Sequence, residues 1–134
     1  MAKIQITPDY NKAQSLFTLS NETFRRLTEI SLNKYPTNSI IDYYDICHKL
    51  LDAIFLLKGF KFKGDGAHFE MISESASFSI LSSAQINFFQ QLRDTRNRIH
   101  YEGLSISEDF LKRNTHNLTD LRESLHSYCN EHLY

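Results

Sequence analysis

The sequence predicts an all-α domain, an up-down bundle of four to five helices, and three observations carry that expectation. Only two prolines and four glycines interrupt 134 residues, too few for the frequent turns of a many-stranded fold. Apolar residues recur at helical spacing in four long segments, as they do when one face of a helix is buried. Residues suited to capping stand at the ends of those segments. The length fits a single domain over residues 1–134. A hydrophobic fraction of 41% against 23% charged is too apolar for disorder and sufficient for a core without metal or disulfide staples.

The first helix is expected to begin at Thr7 as N-cap, with Pro8 in the first helical position and Asp9 complementing the positive end. It should carry Leu16, Phe17, Phe24, Leu27 and Ile30 and end before Pro36. In the second, Ile40, Tyr44, Cys47, Leu51 and Ile54 form one apolar stripe, with Leu50 and Leu57 beside it. Asp42, Asp45 and Asp52 lie largely off that stripe, and Gly59 supplies a left-handed C-cap. Residues 61–66 read as a turn, 68–73 as a short helix and the serine-rich 73–79 as a loop. Ser82-Ser83-Ala84-Gln85 is a capping box opening the next helix, whose apolar face holds Phe88, Leu92 and Ile99 and which Gly103 ends. A second capping box, Ser105-Ile106-Ser107-Glu108, starts a last helix bearing Phe110, Leu111, Leu118, Leu121, Leu125 and Tyr128.

A net charge of −1 excludes a broad nucleic-acid-binding surface, so any contact with phosphates must come from a local patch. Cys47 and Cys129 fit neither a disulfide framework nor zinc spacing and read as buried free thiols, which implies a reducing cytoplasm. No signal region and no apolar run of about 20 residues is present, so a cytoplasmic chain without a membrane span is expected. Seven tyrosines and ten phenylalanines are more than a small bundle needs inside, which favours a homodimer.

Chemistry concentrates in Arg93-Asp94-Thr95-Arg96-Asn97-Arg98-Ile99-His100-Tyr101-Glu102-Gly103. At roughly 100° per residue, Phe89, Arg93, Arg96 and His100 form one stripe, roughly 100° from Phe88, Leu92 and Ile99. A neutral imidazole takes a proton from a ribose 2′-hydroxyl or returns one to the leaving oxygen. Guanidinium groups hold phosphate oxygens in a fork and stabilise the charge that builds in the transition state. His100 is the candidate acid or base, Arg93 and Arg96 the phosphate holders, and Asn97 the group that orients one of them. The plain alternative is that both arginines pair with surface acids while His100 sits at a helix C-terminus favoured by the dipole.

Residues 92–103 resemble the signature of the HEPN family (higher eukaryotes and prokaryotes nucleotide-binding), an arginine separated from a histidine by four to six residues, often with a polar residue just after the arginine. Arg93 followed by Asp94 leaves six residues before His100, at the long limit; Arg96 followed by Asn97 leaves three, below the short one. Leu57-Lys58-Gly59-Phe60 and Gly66-Ala67-His68 also resemble archaeal and bacterial members, and the helical layout from residue 40 to 128 is similar to the family's bundle. The resemblance implies an HEPN-like fold and a metal-independent ribonuclease, possessing no cofactor, whose composite site lies between two copies of the chain. It further implies a role as toxin or defence component, with RNA as substrate and a nucleotidyltransferase antitoxin as partner. Other members serve as non-catalytic nucleotide-binding or protein-interaction modules, which is the alternative function.

Other features read more plainly. Asp42, Asp45 and His48 stand a turn apart, but the set completes no coordination pattern and reads as a solvated face. His68 is expected to cap a short helix or lie at the surface rather than enter a cleft. Lys61 and Lys63, with Arg25-Arg26, offer a basic extension, while Phe60 and Phe62 anchor the turn to the bundle. Gly64-Asp65-Gly66 lacks a phosphate-loop lysine.

Overall fold

Residues 2–30 and 34–133 are described by the computed structural model. The end of the first predicted helix, between Ile30 and Pro36, therefore lies partly outside the described residues. The chain runs β1 (Lys3–Gln5), α1 (Tyr10–Glu29), α2 (Pro36–Lys58), β2 (Phe60–Phe62), α3 (Ala67–Glu74), a 3₁₀ turn (Ser75–Phe78), α4 (Ser83–Glu102) and α5 (Glu108–Leu133). Helix dominates, as the sequence predicts. Among the described residues no helix is long and apolar enough to cross a membrane.

α2 is the axis of the fold. It touches α1, α3, α4 and α5, and its burial is not confined to the predicted stripe. Ile40, Cys47, Leu51 and Ile54 are fully buried, but so are Ile46, Leu50, Ala53 and Phe55. A helix that is apolar nearly all round is one covered on several sides. Cys47 and Cys129 are both free and buried.

The strand pair is the main departure from the expected fold. β1 and β2 run antiparallel with Lys3 opposite Phe62 and Gln5 opposite Phe60. Flanking bonds from Ile6 N to Gly59 O (2.8 Å) and from Lys63 N to Ala2 O (2.9 Å) extend the ladder. Three residues per strand give too few alternations to be recognised as a period, so Lys61 and Phe62 belong to a strand where a turn was expected. Lys3 Nζ lies 4.4 Å from the Phe60 ring centroid and 3.1 Å from Glu74 Oε2, which ties the ladder to α3.

Two helix starts and one loop also differ. α1 begins later than Thr7: Asp9 is the N-cap, its carboxylate accepting from Lys12 N at 3.0 Å. Residues 6–9 are held instead against the end of α2, with Asp9 N donating to Leu56 O at 3.0 Å. α5 is capped by Ser107 rather than Ser105, since Phe110 N donates to Ser107 Oγ at 3.1 Å. The serine-rich stretch is regular, with Ser75 Oγ bonded back to Ile72 O as α3 tightens into the 3₁₀ turn.

The predicted α4 termini are present. Ser82 N donates to Gln85 Oε1 (2.9 Å) while Gln85 N donates to Ser82 Oγ (3.1 Å), a complete capping box. Gln85 Nε2 also reaches Asp120 Oδ2 (3.0 Å) and Ser124 Oγ (2.8 Å), pinning α4 to α5. Phe89 and Leu92 are the buried residues of α4, whereas Phe88 and Ile99 are only half-buried. The core face is thus centred between the two predicted stripes. That geometry leaves Arg93 and Arg96 half-buried at its edge and turns His100 to the surface.

Candidate functional site

α4 and the segment that joins β2 to α3 enclose a cleft of about 410 Å³. Arg93, Arg96 and Asn97 line it from α4; Lys63, His68 and Phe69 line it from the other side, and Tyr101 closes one end. Gly64 and Gly66 both adopt positive φ, which turns the chain abruptly from β2 into α3 and carries His68 across to the arginines.

Gln90 fixes the spacing of the two walls. Its Nε2 donates to Phe69 O (2.9 Å) and Ser73 Oγ (3.1 Å), while its Oε1 accepts from Arg93 Nε (3.0 Å). One amide therefore clamps α3 to α4 and aims the Arg93 side chain. The Arg93 guanidinium lies 5.4 Å from the Phe69 ring centroid, and that of Arg96 lies 5.9 Å from the Tyr44 centroid. Arg96 Nη1 also meets Asn97 Oδ1 at 3.4 Å, the orienting contact expected of Asn97. Among the described residues neither arginine forms an ion pair with a carboxylate, unlike Arg98, which reaches Glu102 at 3.5 Å. The plain expectation that Arg93 and Arg96 pair with surface acids is not met, and two guanidinium groups face the cleft with donors to spare.

His100 does not line the cleft. Its exposed ring lies edge-on to Tyr101, centroids 4.8 Å apart, in the last turn of α4. The structure thus brings Arg93, Arg96 and Asn97 together and sets His100 beyond them, at the rim that Tyr101 occupies.

His68 lines the cleft and is exposed, as its surface reading expects, while the capping role is absent: Gly66 is the N-cap of α3, with no side-chain cap. One edge of the His68 ring is open to solvent. The other side meets His48, centroids 4.1 Å apart, and Nδ1 lies 3.3 Å from Tyr44 Oη. Behind it, His48, Tyr44 and Asp52 line an adjoining cavity of about 380 Å³. His68 and Arg96 line both spaces.

The electrostatics of this group follow from burial and from the arginines. Burial lowers the His48 pKa from 6.5 to about 4, helped by the neighbouring His68 and only partly opposed by Asp45. The His68 pKa is also lowered, by desolvation on its inner side and then by Arg96 and Arg93, against the pull of Asp52. Burial raises Tyr44 to about 12, so its phenol keeps its proton. Both imidazoles are accordingly neutral at pH 7.

The face that sequence reading treats as solvated is divided. Asp42 accepts from Arg26 at 2.8 Å and Asp45 pairs with Lys49, while His48 turns inward. Arg26 is committed to Asp42 and adds nothing to the cleft, whereas Lys63 lines it. The described residues hold no group of three His, Cys, Asp or Glu side chains placed to bind a metal ion. No sequence period could reveal His68, which meets His48 across a strand and a turn; the local signals are the adjacent Gly64-Asp65-Gly66 turn and the Gly66-Ala67-His68 resemblance.

The fold and the cleft together define a mostly helical protein with a groove that holds Lys63, Arg93 and Arg96 against one carboxylate, Asp65, and is edged by exposed aromatic rings. No family model, characterised protein or solved structure matches this chain.

Proposed function

We propose that this chain is a ribonuclease of HEPN type that binds single-stranded RNA in the Arg93–Arg96–Asn97 cleft and cleaves it without a metal ion. The observation that carries the reading is the pairing of two arginines free of carboxylate partners with two exposed aromatic rings. Phe69 is 53% exposed and Tyr101 77% exposed, and both line the same cleft. Exposing such rings costs hydrophobic free energy unless a ligand covers them. Unpaired bases stack on aromatic faces while guanidinium groups hold the phosphates between them. The net charge of −1 fits a patch that works locally.

Cleavage follows from the ribose 2′-hydroxyl acting as internal nucleophile. The arginines stabilise the negative charge on the five-coordinate phosphorus, and an imidazole manages the proton. His100 belongs to the same ridge of α4 and stands at the rim; a second copy of the chain docked over this face would enclose it and complete a composite site. A toxin or defence role, with a nucleotidyltransferase antitoxin as partner, is the biological setting that the HEPN resemblance adds. The test is incubation with single-stranded RNA and DNA in excess EDTA. RNA should be cut to 2′,3′-cyclic phosphate ends and DNA left whole. Intact RNA in the presence of folded protein overturns the reading.

A non-catalytic nucleotide-binding or protein-interaction module is the second reading, favoured by the position of His100 outside the cleft. It predicts tight binding of RNA that is released unchanged.

A further inference from the structure

We infer that His68, rather than His100, is the imidazole that meets the substrate in this cleft, with Tyr44 and His48 as positioning residues behind it. The inference rests on the nuclease reading above and names the group that moves the proton.

Place is the first argument. A proton-transfer group must come within hydrogen-bond reach of the reacting hydroxyl. His68 lines the cleft with Arg93 and Arg96, whereas His100 does not. A phosphate held by these guanidinium groups brings its neighbouring ribose to the His68 wall of a space of only about 410 Å³.

Support is the second argument. A useful acid or base has its ring held from behind. His48 packs against the His68 ring with centroids 4.1 Å apart, and Tyr44 Oη lies 3.3 Å from Nδ1. Tyr44 is itself fixed edge-on against the fully buried Phe89, centroids 6.1 Å apart. In the tautomer whose Nδ1–H donates to Tyr44 Oη, the Nε2 lone pair is left for the substrate, and Nε2 has no hydrogen-bond partner among the described residues. His100, by contrast, is exposed, and among the described residues its ring contact is with its neighbour Tyr101.

The step balances within these groups. Nε2 of His68 takes the proton of the 2′-hydroxyl, and the freed oxygen pair forms a bond to phosphorus. The bond from phosphorus to the 5′ oxygen breaks, and that oxygen takes a proton from water. The products are a 2′,3′-cyclic phosphate and a 5′-hydroxyl end, and the imidazolium returns its proton to solvent.

The groups facing the ring are Tyr44, His48 and Asp52 from α2 and Arg93 and Arg96 from α4. The arginines oppose protonation and Asp52 favours it, so the neutral, basic form prevails at pH 7.

The experiment compares wild type with His68→Asn, His68→Gln, His100→Ala and Tyr44→Phe on two probes. One is a single-stranded uridine dodecamer; the other is the same oligomer methylated at every 2′-oxygen, which binds without being cut. Melting temperatures confirm folding. Both His68 variants should lose about 100-fold or more of the cleavage rate while binding the methylated oligomer within about threefold of wild type. His100→Ala, which removes the rival imidazole, should lose less of the cleavage rate than either His68 variant. Tyr44→Phe should lower kcat with KM unchanged and move the acid limb of the pH profile. A loss in His100→Ala that equals or exceeds the loss in both His68 variants overturns the inference and leaves the nuclease reading standing. Failure of the wild type itself to cut overturns both.

Discussion

The imidazoles of His48 and His68 face each other with centroids 4.1 Å apart, one on the central helix and the other just past a glycine-flanked turn. Two charged rings at that separation would repel, and the inner one has little access to water. Burial and its neighbour therefore hold His48 in the neutral form, with its pKa lowered from 6.5 to about 4.

A pH dependence of stability follows from that pair. Above pH 6.5 neither the native nor the unfolded form of His48 binds a proton, and the residue contributes no slope. Between pH 6.5 and about 4 the unfolded chain takes up a proton that the native protein refuses, so stability falls as pH falls. The loss due to this residue reaches roughly 3 kcal/mol by pH 4. Urea midpoints of wild type and His48→Phe, measured from pH 7.5 to 4, should converge towards acid or cross. Parallel curves would show that His48 is not held neutral.

The catalytic pH profile has its own expected form. His68 is neutral at pH 7 because desolvation, Arg96 and Arg93 together outweigh Asp52. Cleavage by a neutral base should be level at neutral to mildly alkaline pH and fall towards acid, with a slope approaching one and a midpoint below the ordinary imidazole value. Arg96→Gln removes one opposing charge and should move that limb towards higher pH. A limb that does not move would separate Arg96 from the acting imidazole.

Gly59 is the residue on which the site's placement depends. Its φ of +87° is left-handed, and an added Cβ would stand 2.8 Å from Ile6 O, the carbonyl of the residue whose own N–H bonds back to Gly59. Gly59→Ala should cost about 2 kcal/mol or more through strain and lost strand pairing. Thermal or urea unfolding measures it; a cost within about 0.5 kcal/mol would show that the β1–β2 ladder yields without penalty.

The exposed rings predict a particular loss pattern. Phe69→Ala and Tyr101→Ala should each weaken single-stranded RNA binding by about 1–3 kcal/mol with little sequence preference and little change in salt dependence. Tyr101 is 77% exposed, so its removal should leave the melting temperature within a degree or two of wild type. Unchanged affinity in both variants would mean that the rings do not receive bases.

Much of the helical layout was legible because long segments state their period many times. Gly59 and Gly103 end their helices in the left-handed conformation, and the Ser82–Gln85 capping box forms both of its bonds. The β1–β2 pair escaped notice because three residues per strand state no period. Asp9 displaced Thr7 as cap because the preceding segment docks on the end of α2, a tertiary contact that local propensity does not contain. At the site, helical geometry puts Phe89, Arg93, Arg96 and His100 on one ridge; Arg93 and Arg96 do line one cleft, joined by Asn97, whereas Phe89 is buried and His100 lies outside it. His68 reads in the sequence as a capping or surface residue, and it is exposed; its neighbours His48 and Tyr44 come from α2, which only the folded chain brings beside it.

Single-stranded RNA titrated against wild type and the Arg93→Ala/Arg96→Ala double variant, followed by fluorescence anisotropy at several salt concentrations, addresses the groove itself. Saturable binding by the wild type is expected, at least tenfold weaker in the double variant and with a salt slope reduced by about 1.4, since two single-strand phosphate contacts are lost. Equal affinity and equal salt slope in the two proteins would contradict the assignment of the nucleic-acid site to this cleft.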